Sequence, residues 1–137
     1  MTRFVRPDSM FAKRVFLIAG IYGLLILPPH YFLEEKIGRD TPPAITHPEF
    51  FYGFVGVATA WQVAFLIIAR DPVRYRLMMI PGILEKLGFG VAALVLYAQG
   101  RLAAPMLAAG LVDLVFAALF AISYAKTGKE PPNSNSA

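Results

Sequence analysis

The sequence predicts an all-α protein, a four-helix transmembrane bundle, and three observations lead to that reading. Of the 137 residues, 57% are apolar, against roughly 45–50% in an ordinary soluble domain. Only 16% are charged, and the mean hydropathy is +0.57. The apolar residues gather in four long blocks separated by prolines, glycines and charges, a pattern that excludes both a soluble globule and a disordered chain. The absence of cysteine removes disulfides, thiolate metal sites and thiol nucleophiles from consideration. The net charge of +4 comes from residues at the block edges, not from a separate basic domain, so nucleic acid is not an expected partner.

The first span is expected over about 9–33. Pro28 and Pro29 limit its uninterrupted apolar run to 15–27, but Asp8 and Ser9 are good N-cap types. A helix begun there carries Met10 and Phe11 into the interface while Lys13 and Arg14 extend to the headgroups. The basic start has no small-residue cleavage site before Pro28, so it reads as an uncleaved anchor. The second span, 50–69, contains no charge and at about 1.5 Å per residue covers a hydrocarbon core of about 30 Å.

The third span, 77–98, holds Glu85 and Lys86 near its middle and Pro81 as a potential kink. Its Leu, Ile, Val and Phe residues favour insertion by roughly 0.3–0.6 kcal/mol each, about 3–6 kcal/mol together. A central ionised pair opposes this by about 5–7 kcal/mol. The near-zero sum predicts a helix that depends on polar partners in its neighbours. The fourth span, 103–125, is rich in Ala, Leu and Val and is interrupted by Asp113 alone. The four spans form one domain over 1–127, and the polar tail 128–137, with Pro131 and Pro132, is expected to be disordered.

Lysine and arginine counts orient the bundle. Arg3, Arg6, Lys13, Arg14, Arg70, Arg74, Arg76, Lys126 and Lys129 fall on one side, and Lys36, Arg39 and Arg101 on the other. The positive-inside rule then predicts that the N-terminus and the C-terminus are both cytoplasmic, in a multi-pass protein of the bacterial inner membrane. The segment from Arg70 to Arg76 reads as a topology signal in contact with anionic headgroups.

Trp61 and Gln62, Glu85 and Lys86, and Asp113 fall at similar depths, so three helices are expected to share one polar layer. Small-residue faces are expected at Gly110, Asp113, Ala117 and Ala121, at Gly82, Glu85, Phe89 and Ala92, and at Gly56, Ala60 and Ala64. In the structural reading, Lys86, Asp113, Glu85 and Gln62 satisfy one another and set helix register. In the functional reading, Lys86 pairs with Asp113, because adjacent helical residues point about 100° apart, and Glu85 is left facing a cavity with Trp61 as an aromatic wall. At the outer face, His30, Glu34, His47 and Glu49 are weak metal candidates, His30 and Glu34 being spaced as helical i, i+4 ligands. The neighbouring prolines make them natural helix-end groups instead, and no metal or other cofactor is expected. No Gly-rich phosphate loop, paired catalytic carboxylates or triad is visible.

The stretches HPEFFYGFVGVATAWQ and ILEKLGFGVAALVLYAQGR resemble uncharacterised small four-span bacterial membrane proteins, and the layout is similar, more remotely, to DoxX-like and emopamil-binding-like bundles. The latter resemblance implies intramembrane acids in a sterol-sized cavity, a role for which Glu85 and Asp113 are analogous in kind only. Small multidrug transporters also have four spans, but their essential acid lies in the first, where this chain has none. The first functional expectation is therefore a small membrane protein acting through helix packing, lipid contacts, a protein partner or self-association. A hydrophobic-ligand-binding or isomerase-like bundle using Glu85 is the alternative, a proton-coupled small transporter comes third, and enzymatic activity is left open.

Overall fold

The computed structural model describes residues 7–128, so Arg3, Arg6, Lys129 and nearly all of the expected disordered tail lie outside the described residues. Within them there are five α-helices and no strand. The first, α1, spans Pro7–Ile26 and begins one residue before the expected cap, placing Asp8 in the first turn. It ends where expected, because Pro28 lacks the N–H that would continue the ladder. The chain goes on as a 3-10 helix, Pro28–Phe32, and the two together make a candidate span from Asp8 to Phe32.

A short helix, α2, covers Glu34–Asp40 where the sequence suggested only a loop. Glu34 and Glu35 sit at its positive N-terminal end and Arg39 in its last turn; Lys36 pairs with Asp40, and Thr41 closes it by bonding to the Ile37 carbonyl. Next, α3 runs Pro48–Arg70, with Pro48 in the first turn, where a missing N–H costs nothing.

A 3-10 turn, Arg76–Met78, then leads into α4, Met79–Ala98. Pro81, the potential kink, falls in the first turn of α4, before any donor it lacks would be needed. At the other end, Gly100 takes φ +70°, which lets its N–H bond Tyr97 O and lets Arg101 N–H bond Leu96 O. This left-handed cap reverses the chain into α5, Ala104–Thr127. The four long helices α1, α3, α4 and α5 are each long and apolar enough to cross a membrane.

Around the bundle the order is α3, α1, α5, α4, and the ring is not closed, since α3 and α4 barely touch. Two close approaches hold the neighbouring pairs. On α1, a Cβ at Gly20 would lie 2.7 Å from the Leu66 side chain, and one at Gly23 would lie 2.1 Å from Gln62 Oε1. Between α4 and α5, a Cβ at Gly110 would lie 2.4 Å from the Ala93 Cβ. The expected small faces are thus partly corrected. Gly110 and Ala117 are buried, but Ala121 is exposed. The stripe Gly56, Ala60, Ala64 does not admit a neighbouring long helix: Gly56 meets the Tyr31 hydroxyl, Ala60 is exposed, and α3 turns Val55, Ala58, Gln62 and Phe65 inward; the glycines that admit α3 belong to α1. An aromatic core joins the helices near the basic end. Phe16 stacks on Phe120 at 4.1 Å, Phe65 meets Phe120 edge-on at 4.9 Å, and a Cβ on Gly82 would be 3.1 Å from Phe65.

The two ends differ in charge, as the counting anticipated. Lys126 Nζ is 3.9 Å from Asp8 Oδ1 and sits over the Phe11 ring, while Arg76 lies over Tyr124 at 3.6 Å and donates to its carbonyl. The start of α1, the α3–α4 connection and the end of α5 therefore share one end, with Lys36, Arg39 and Arg101 at the other.

Candidate membrane-embedded site

The midplane charges converge through Lys86, which α4 points into the bundle. Its side chain is 5% exposed, and its Nζ lies 3.2 Å from Asp113 Oδ1 on α5. Rings of Phe65 and Phe116 flank the ammonium at 5.4 and 6.0 Å. The expected Lys86–Asp113 pair is present. Glu85, however, is not left wholly apart from it, because its Oε2 is 3.4 Å from Lys86 Nζ. The backbone angle between adjacent residues does turn Glu85 away, but the lysine stem is long enough to fold back toward it. That charge contact lacks hydrogen-bond geometry, so Glu85 Oε2 is buried without a hydrogen-bond partner.

Gln62 takes no part in this cluster, which corrects the reading in which it satisfies the charges. It is fully buried on the side of α3 that faces α1. There its Nε2 donates to the Ala58 carbonyl and its Oε1 has no partner. Trp61, one residue earlier and so about 100° around the helix, points into the seam between α3 and α4. The single polar layer is thus two separate sites, Gln62 against α1 and the charged groups between α4 and α5.

The open seam is a groove of about 730 Å³. Gly53, Phe54, Val57, Ala58 and Trp61 line it from α3; Pro81, Leu84, Glu85, Gly88, Phe89 and Ala92 line it from α4. Its volume falls within the roughly 300–1,000 Å³ of small-molecule sites. Phe54 and Phe89 meet across it with centroids 6.0 Å apart. Gly53 and Gly88 keep it open, since a Cβ at either would meet nothing within 4 Å. Glu85, its side chain 18% exposed, is the sole charged residue among those that line it. Of the face expected at Gly82, Glu85, Phe89 and Ala92, the last three line the groove while Gly82 is buried against the aromatic core; that the face borders a void instead of a helix is not legible in the sequence.

At the end opposite the start of α1 the four metal candidates do not converge. His30 bonds Ile26 O at 2.7 Å, Glu34 accepts a hydrogen bond from Tyr52 at 2.6 Å, and His47 pairs with Glu49 at 3.3 Å. No group of three or more potential ligands forms among the described residues. Each side chain is taken up by a partner close to its own helix end.

The fold and the site define a multi-pass helical membrane protein with a lateral groove and one carboxylate in it. No family model, curated protein or solved structure matches the chain.

Proposed function

We propose that this protein binds a hydrophobic molecule within the membrane, in the α3–α4 groove, with Glu85 receiving the molecule's polar group. The observation that carries the proposal is an apolar groove open at a helix seam with one part-exposed carboxyl side chain, Glu85, as the only charged residue in its lining. The reading therefore places ligand binding ahead of the purely structural role. The likeness of layout to DoxX-like and emopamil-binding-like bundles accompanies it without carrying it.

Trp61, the single tryptophan, lies in the groove and reports on occupancy. Titrating detergent-solubilised protein with a single-chain alkyl alcohol should change its emission saturably. Gly88→Phe, whose Cβ would meet nothing within 4 Å, puts a ring into the groove and should abolish the saturable change while leaving the thermal midpoint nearly unaltered. Non-saturable partitioning, identical in the variant, would contradict the proposal.

The location proposed is the bacterial cytoplasmic (inner) membrane, with both termini and the Arg70–Arg76 connection inside. The unequal basic charge of the two ends supports it. Accessibility tags at either terminus or in that connection should report the cytoplasm, and a tag between Gly38 and Thr46 the outside. One reversed tag would overturn the orientation.

A further inference from the structure

We propose that the groove selects an amphiphile with a positively charged head, a long-chain amine or quaternary ammonium, and binds it in place of a proton. The inference rests on the ligand-binding reading above and deepens it through the charge count at the site. Two carboxylates, Glu85 and Asp113, share one ammonium, Lys86. No other charge faces them among the described residues: α1 has none after Arg14, α3 has none between Glu49 and Arg70, α4 has only Glu85 and Lys86, and α5 has only Asp113 before Lys126. With all three groups ionised the site carries one uncompensated negative charge, which a membrane interior penalises heavily.

Only Glu85 faces the groove, so the missing positive charge can arrive there and nowhere else; Asp113 lies on α5, outside the groove lining. Aromatic rings supply the second element of recognition. Trp61, Phe54 and Phe89 line the same groove, and aromatic faces attract ammonium groups most strongly where water is absent. In the empty groove a proton on the carboxyl balances the charge. On binding, the O–H bond of Glu85 breaks, the proton leaves to water, and the carboxylate pairs with the incoming cation, so charge is conserved within the site. The apolar walls hold the alkyl chain.

The test compares three probes of one chain length, decyltrimethylammonium, decanol and decanoate, by Trp61 emission of the full chain in a maltoside detergent. The ammonium is expected to bind on the order of tenfold more tightly than the alcohol, and the carboxylate more weakly than either. Lowering the pH should weaken ammonium binding and leave the alcohol's affinity unmoved. In Glu85→Gln, with its thermal midpoint measured as a check on folding, the ratio of ammonium to alcohol affinity should fall toward one and lose its pH dependence. Equal affinities in the unaltered protein, or a preference that survives Glu85→Gln, would overturn the charge inference. The two readings fail differently. Alcohol binding that Gly88→Phe removes, without any preference for the cation, leaves the groove reading standing and sinks this one, whereas no saturable binding of any probe sinks both.

Discussion

Replacing Lys86 with Met should destabilise the bundle by about 3–5 kcal/mol, the cost of leaving buried charge without its partner. The ammonium is the only counter-charge for two carboxylates, at 3.2 Å from Asp113 and 3.4 Å from Glu85. The converse change, Asp113→Leu, should cost less, about 1–3 kcal/mol, because Lys86 keeps Glu85 within reach. In the double variant the buried pair is gone and Glu85 alone remains, free to be neutralised by a proton. Its stability should therefore recover at least half of the Lys86→Met loss, giving a large coupling between the sites. Thermal denaturation of the four proteins in one detergent measures this coupling. Strictly additive losses would show that the contact has no energetic weight, and equal single losses would remove Glu85 from the cluster.

The second large effect is steric. Gly110→Leu should cost at least about 3 kcal/mol, the upper end of what overpacking exacts, because the added Cβ would lie 2.4 Å from the Ala93 Cβ. The nearest atoms beyond are Gly90 backbone at 3.8 Å, with no side chain able to rotate away. Relief requires α4 and α5 to separate, and the Lys86–Asp113 pair spans that same interface. The contrasting substitution, Gly88→Leu, adds similar bulk on α4 where it lines the groove and should leave stability nearly unchanged. Unfolding of both variants in a denaturing detergent series decides the matter, since equal losses would mean that the close approach does not set Gly110 apart from Gly88.

What the sequence disclosed, and what it withheld, follows from which properties are local. Proline positions and apolar run lengths marked out the four long apolar helices, since both act through their own helix. The Lys86–Asp113 pair was legible because opposite charges at equal depth have few other ways to be neutralised. Gln62 was misjudged because depth says nothing about rotation. It lies beside Trp61 in sequence, yet faces Gly23 of α1 while Trp61 faces the groove. The seven-residue α2 escaped notice because it is too short to show a periodic apolar face, being held by Lys36–Asp40 and by the Thr41 cap instead. The groove was the least legible feature, since it depends on two helices failing to touch. Gly53 and Gly88 look like packing glycines in a sequence and prove to border open space.

That groove is the centre of the account, and photolabelling tests it most directly. A long-chain alcohol bearing a diazirine on its alkyl chain, irradiated with the protein in detergent and mapped by peptide mass spectrometry, should label α3 and α4 around Phe54, Val57, Leu84 and Gly88. Unlabelled alcohol should compete the labelling away, and Gly88→Phe should lose it. Labelling spread evenly over lipid-facing residues such as Ile18, Leu25 and Val115, without competition and unchanged in Gly88→Phe, would show that the seam is only another part of the lipid-exposed surface.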